Sequence, residues 1–377
     1  MRASVKDIVD AYNPQFSLAE ASTPPSSWYA DSRILELERR TVFSHSWQMV
    51  GRAEQVREPG QYVTREIAGE PILVVRGSDG VLRGFFNVCR HHAAAVLTNA
   101  DGRTQNLRCP YHGWTYNLEG SLIGTPDCAG VANFDRSANG LVLVEIAEWQ
   151  GWVFAKLESG APALADFLCN DLIERFERLN LERLSWFERR HYTLNCNWKV
   201  FIDNYLDGGY HVPHIHGGLS SVLDNSAYAI ETGAHFCLQS SPISGDRSDA
   251  QTAAVRQGDR ALYYWIYPNF MFNIYDQVMD TNMVIPCGVD QTEVIFDYYF
   301  ADVSEQARER NLASIAVSEQ IQGEDVAICE SVQRGLASRA YATGRLSLRR
   351  EAGEHLFHRL LHADLQAGIE NDYALRR

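Results

Sequence analysis

The chain has 377 residues, 45% of them hydrophobic and 11% aromatic. This is not a disordered composition, and the length suggests two cores at roughly 100–200 residues per domain. The formal net charge of -14 argues against nucleic acid or an anionic membrane surface as the main partner. It is compatible with a cationic substrate, and equally with an acidic surface that serves only solubility.

The first segment, up to "STPPSS", reads as irregular. It has no apolar run of signal-peptide length, and nothing in the chain approaches the roughly eighteen apolar residues of a membrane span. A cytoplasmic protein is therefore expected. "DSRILELERRTVFSHSW" has helical spacing at Ile34, Leu35, Leu37 and Val42, with Asp31 or Ser32 as N-cap. From 51 to 157 the runs "QYVTREI", "EPILVVRG", "LRGFFNV" and "LVLVEIAEWQGWVFAKL", punctuated by Gly, Asp and Pro, predict a small all-β domain. Beyond it "LADFLCNDLIERFERLNLERL" reads as helix, and the segment from "LSWFERRHYTL" into "NWKVFIDNYLDGGYH" as strand into helix. "RALYYWIYPNFMFNIY" and "TEVIFDYYFADV" read as strands of one sheet. A long helix runs through "GEDVAICESVQRGL" and another through "LRREAGEHLFHRLLHADLQ". The expected organisation is α+β: an N-terminal arm and helix over 1–40, an all-β domain over 41–160, and a domain over 161–377 with an antiparallel sheet covered by helices.

Of eight cysteines, two stand out. Cys89 and His91 form a C-x-H pair, and Cys109 and His112 a C-x-x-H pair, with seventeen residues between His91 and Cys109. Two Cys and two His could hold tetrahedral zinc, or a [2Fe–2S] centre in which two His replace two Cys on one iron. A zinc finger would place its second pair on a helix. Here both pairs fall in loops between strands, with Pro110 before and Gly113 and Trp114 after the second His. That is the pattern of a Rieske cluster, with Cys89 and Cys109 on one iron and His91 and His112 on the other.

The second constellation is "NYLDGGYHVPHIH" at 204–216. His211 and His216 are five apart, about 140° around an unbroken helix, and Pro213 should end or kink the helix between them so that they meet. Asp207 lies four before His211, on the same helical face. His214 reads as a surface or core residue. Two His and one carboxylate with open positions make the facial triad of non-heme Fe(II) sites that activate O₂. Asp325, on a predicted helix, can supply the carboxylate. Glu324 competes for that role, and the spacing to Cys329 and Gln333 favours Asp325.

With both constellations in place, the chain from about Trp28 to Phe357 resembles the α subunit of Rieske non-heme iron ring-hydroxylating oxygenases. "NWKVFIDNYLDGGYHVPHIH" and "YPNFMFNIYDQVMDTNMVIPCG" are most similar to the branch that oxidises quaternary ammonium compounds such as choline. Ala94 and Tyr111 stand where respiratory Rieske proteins carry two extra cysteines, as in the oxygenase type. The resemblance implies a helix-grip catalytic domain, with His211, His216 and Asp325 on mononuclear Fe(II). It makes Asp207 the carboxylate that bridges to a Rieske histidine of a neighbouring subunit, with Asp203 as a weaker alternative. Most of the family puts the bridging acid three residues before the first His, where this chain has Gly208. The resemblance further implies a homotrimer that uses O₂ as co-substrate. Its electrons come from NAD(P)H through a separate reductase or ferredoxin, and the chain itself carries no dinucleotide-binding G-x-G-x-x-G after a strand. Choline, glycine betaine, carnitine and proline betaine are all open as substrates. An aromatic-ring hydroxylase or O-demethylase is the runner-up, and a Rieske electron carrier without oxygenase activity the reading from another class.

Overall fold

The computed structural model describes residues 3–158 and 162–375. By internal contacts the chain forms two units: Phe43–Phe167, and Met1–Val42 together with Leu168–Arg377. The N-terminal segment, set apart in the sequence reading as 1–40, thus groups with the C-terminal unit. No helix among the described residues is long and apolar enough to cross a membrane.

In the first unit, seven antiparallel strands run in the spatial order Gln48–Arg52, Trp152–Lys156, Leu143–Trp149, Leu82–Phe86, Glu70–Arg76, Gln61–Ile67 and Asp101–Arg103. A separate three-stranded sheet joins Leu107–Arg108, Thr115–Tyr116 and Leu122–Gly124. The side chains Leu73, Val75, Phe85, Leu107 and Tyr116 form a buried cluster with Cys89, Cys109 and Trp114. Two loops of the small unit therefore deliver their cysteines into an apolar core.

The second unit is built on a seven-stranded antiparallel sheet. Ala229–Thr232, Phe236–Pro242, Arg260–Ile266, Phe270–Ile274, Val278–Gly288 and Gln291–Phe300 meander across it, and Ser185–Leu194 closes the far edge against Gln291–Phe300. The helix Trp198–Leu206 packs on this sheet and against the long helix Arg308–Leu336 and the C-terminal helix Ala352–Leu375. Asp31 caps Ser32–Glu38 by accepting from Arg33 N. Residues at the start of the chain, read as irregular, form the helix Val5–Asp10, closed by a Ser4–Asp7 capping box. The segment Leu164–Leu179 is broken at Cys169, where φ is 61°.

The N-terminal segment is fixed to the site-bearing helix by a buried ion pair. Lys199 Nζ lies 2.6 Å from Glu38 Oε1, with neither side chain exposed, and Trp198 Nε1 donates to Glu38 Oε2 at 2.8 Å. Burial pushes the Glu38 carboxyl up and the Lys199 ammonium down, each against the pull of the other.

Candidate metal centres

In the small unit, the two Cys/His loops use one backbone pattern. Cys89 N donates to Ala94 O and Ala93 N to Cys89 O. Cys109 N donates to Trp114 O and Gly113 N to Cys109 O in the same way. Each loop thus curls round its cysteine, with its histidine two or three residues on. Cys89 and Cys109 are buried, and the Tyr116 hydroxyl lies 3.4 Å from Cys89 Sγ and accepts from Arg90 N at 2.9 Å. The rings of His91 and His112 stand 4.7 Å apart, and His91 stacks on Trp114 at 4.6 Å. His92, which the sequence reading did not use, lies 4.0 Å from His91, ring to ring. His91 Nδ1 is buried with no hydrogen-bond partner. A buried ring nitrogen left unpaired costs free energy unless something binds it. Two buried thiols and this unpaired nitrogen, on loops bound by backbone hydrogen bonds, fit a [2Fe–2S] cluster.

The second site differs from its sequence picture in one respect. Asp207 and His211 do not share a helix. The helix ends at Leu206, and Gly208 and Gly209 follow with φ of 69° and 65°, a conformation that side chains with a Cβ rarely adopt. A Cβ on Gly208 would come 2.1 Å from Arg350 O, and one on Gly209 would come 2.7 Å from the Tyr228 ring. The chain reverses through these glycines, and Pro213 then sits in the first turn of the short helix Val212–Ile215, with His211 as its N-cap. His211 and His216 therefore flank one helical turn, their ring centroids 4.9 Å apart.

His211, His216 and Asp325 offer ligand atoms that lie within 4.8 Å of one another. Asp325 Oδ1 is 3.1 Å from His216 Nε2 and 3.7 Å from His211 Nε2. Adjacent ligands of an octahedral ion with bonds of about 2.1 Å stand about 3 Å apart, so this trio fits one face of such an ion. The outer nitrogens are held by carboxylates. Asp207 Oδ2 is 2.6 Å from His211 Nδ1, and Glu324 Oε2 is 2.7 Å from His216 Nδ1. Because an ionised carboxylate only accepts, each Nδ1 carries a proton, which leaves each Nε2, turned towards Asp325, as the atom that ligates a metal once it is deprotonated. Burial alone would lower the proton affinity of His216, but its bonds to Asp325 and Glu324 raise it above the ordinary value. Asp207 also accepts from Tyr210 N and His211 N, and Asn204 Nδ2 donates to Asp325 Oδ1 at 2.8 Å. Glu324 lies outside the trio, on the far side of the His216 ring, and His214 is exposed. Asp203 joins a different group. Its Oδ1 is 3.0 Å from His358 Nε2, its Oδ2 accepts from the Tyr29 hydroxyl at 2.7 Å, and Glu354 lies beside them.

A cavity that opens to solvent reaches the trio. Tyr205, Tyr228, Tyr263, Tyr275, Phe201 and Phe296 supply aromatic walls, and Arg256 and Asp280 line it as well. Neither charged residue was found by the sequence reading. The signal was Asp280 and Asn282, two apart in a strand of apolar residues and so on one face of the sheet.

The donor sets of these two sites fit an oxygenase with a Rieske centre and a mononuclear iron. Residues 46–135 match the Rieske [2Fe-2S] domain, and residues 181–367 match the ring hydroxylating alpha subunit (catalytic domain). The chain belongs to this family of Rieske oxygenase α subunits. It is 39% identical to choline monooxygenase, chloroplastic, of Arabidopsis thaliana, over 97% of this chain and 88% of that protein. It is 32% identical to the carnitine monooxygenase oxygenase subunit of Escherichia coli (strain K12), over 87% of each. A crystal structure of a quaternary ammonium Rieske monooxygenase in complex with substrate L-carnitine superposes with a TM-score of 0.80 at 29% identity, over 97% of this chain and 99% of that one. The protein is an oxygenase, and its family uses a [2Fe–2S] cluster, mononuclear iron and O₂.

Proposed function

We propose that this chain is the terminal oxygenase of a monooxygenase system acting on a small quaternary ammonium compound. The carrying observation is Asp280, a buried carboxylate in the same cavity as His211, His216 and Asp325, among Tyr205, Tyr228, Tyr263 and Tyr275. Aromatic faces attract an alkylammonium ion by about 1–2 kcal/mol when it is desolvated, and a buried carboxylate adds charge complementarity. A neutral aromatic ring would bring Asp280 no positive charge beyond the Arg256 guanidinium that lines the same cavity, which disfavours ring hydroxylation and O-demethylation. Likeness to choline and carnitine monooxygenases supports the same reading.

In this reading Cys89, Cys109, His91 and His112 hold the cluster, and His211, His216 and Asp325 hold the mononuclear iron. Bound there, the metals supply single-electron storage and O₂ activation. The chain's own residues set the conditions. Asp207 and Glu324 keep both Nε2 atoms aimed inward. Asn204 fixes the Asp325 carboxylate. The tyrosine walls exclude water and hold the N-methyl groups towards the trio. Hydroxylation of a carbon bonded to the nitrogen gives a carbinolamine that splits at its C–N bond into an aldehyde and a tertiary amine; the second oxygen atom leaves as water, with two electrons from the reductase and two protons. The protein works as a cytoplasmic homotrimer, takes electrons from a separate NAD(P)H-dependent reductase or ferredoxin, and passes them between subunits through Asp207.

A single turnover tests this. The reduced protein, freed of reductant, is mixed with O₂ and one compound from choline, glycine betaine, carnitine, proline betaine, benzoate or phenylpropionate, and loss of the reduced cluster signal is followed. Fast loss with product from a quaternary amine supports the reading. Fast loss only with an aromatic acid overturns the substrate and keeps the two-site mechanism.

A further inference from the structure

The same cavity holds a second charge that a simple cation site does not need. Arg256 follows the helix Ala250–Val255 as its C-cap and is 2% exposed. Its Nη1 donates to Ser314 Oγ at 2.7 Å and its Nη2 to Ser318 Oγ at 2.5 Å, both on the long helix Arg308–Leu336. Its guanidinium lies 4.7 Å over the Tyr275 ring. Its Nε is buried and has no hydrogen-bond partner. Among the described residues no carboxylate forms an ion pair with it.

Asp280 is the matching half. It is also 2% exposed, and Asn273 and Asn282 both donate to the same oxygen, Oδ2, at 2.7 and 2.9 Å. Burial pushes its carboxyl up, and the Arg256 charge pulls it down only in part. Two opposite charges thus line one cavity without neutralising each other at contact distance. A buried charge without its partner is costly, so each calls for a group of the opposite sign.

A bare cation answers Asp280 and is repelled by Arg256. A molecule with a cation at one end and a carboxylate at the other answers both. Ser318, which holds Arg256, lies seven residues before Asp325 on one helix, about 10 Å along its axis, so the guanidinium and the trio stand apart along the cavity.

We propose that the cavity is built for a zwitterion, a quaternary ammonium compound that also carries a carboxylate, with Arg256 receiving the carboxylate and Asp280 with the tyrosines facing the ammonium. This rests on the quaternary ammonium reading above and narrows it away from choline. Arg256 is here a specificity-determining residue.

Calorimetric titration of the purified full-length holoenzyme without O₂ tests the inference. The probes are glycine betaine, carnitine, the methyl ester of each, choline and benzoate. At least one zwitterion should bind ten-fold or more tightly than its own ester and than choline. Arg256→Gln should bring that ratio close to one. The acid-to-ester comparison needs only the wild-type protein, so a variant that fails to fold leaves the test standing. Choline or an ester binding as tightly as the zwitterions overturns the inference and spares the quaternary ammonium reading. Binding of benzoate but of no quaternary amine overturns that reading itself, and the inference with it.

Discussion

Asp207 Oδ2 sits 2.6 Å from His211 Nδ1 and also accepts from His211 N at 2.9 Å, so one carboxylate oxygen fixes both the backbone and the ring of a candidate iron ligand. The helix has already ended at Leu206, and the contact is made by a loop. Asp207→Ala frees the ring to rotate and lets the tautomer change. Partners of this kind are worth about 10–100-fold in metal affinity or activity. The expected outcome is a loss of that size in coupled turnover, with an unchanged visible spectrum of the Rieske cluster. Turnover within two-fold of wild type would remove Asp207 from the mechanism.

That loop depends on Gly208. Gly208→Ala forces a Cβ into the left-handed region and to within 2.1 Å of Arg350 O. Strain of this type costs on the order of 1–3 kcal/mol, and the clash adds to it. Thermal unfolding should show a lower Tm, and iron at the mononuclear site should fall with it. An alanine variant with wild-type Tm and iron content would show that the loop tolerates another path.

The Glu38–Lys199 pair joins the N-terminal segment to the helix that carries Asn204. Removing one partner strands a buried charge, at about 3–5 kcal/mol. Lys199→Met should therefore destabilise strongly in chemical denaturation. Adding Glu38→Gln to it should recover part of the loss, because the stranded charge is gone. If the double variant is no more stable than Lys199→Met, the pair is not what holds the segment.

Glu354 gives a pH prediction. Burial, and then the charges of Asp203, Glu351 and Asp207, raise its carboxyl well above the ordinary range. The folded protein thus keeps a proton that the unfolded chain releases near pH 4.5. As pH rises above that value the unfolded state binds fewer protons than the folded one, so this group makes stability fall with pH. Glu354→Gln keeps a neutral amide in place and removes the dependence. The variant should gain Tm over wild type at pH 8 relative to the difference between them at pH 5. Parallel Tm curves for the two proteins would contradict this.

How much of this could be read from the chain alone follows from distance along it. Cys89, His91, Cys109 and His112 lie in two short loops, so their spacing carried the chemistry. His211 and His216 are equally local. Asp325 arrives from a helix more than a hundred residues later, and only helix register separates it from Glu324, whose side chain leaves the axis about 100° away. Periodicity gave the strands around Tyr263 and Tyr298, but Val278–Gly288 was hard to read because Asp280 and Asn282 face a cavity rather than solvent. Arg256 could not be read at all, since its partners Ser314 and Ser318 are more than fifty residues away. The end of the helix at Leu206 was missed because i, i+4 spacing looks the same across a glycine reversal as along a helix. The helix Val5–Asp10 was missed although Ser4 and Asp7 have capping-box spacing.

The most direct measurement is iron content with product analysis on His216→Ala. His216 is buried, and its Nε2 lies 3.1 Å from Asp325 Oδ1. A Rieske centre and one mononuclear ion give about three irons per chain. The variant should hold about two, keep the cluster's spectrum and reduction, and form no oxygenated product from a quaternary amine. Three irons and product from the variant would contradict the assignment of oxygen chemistry to this site.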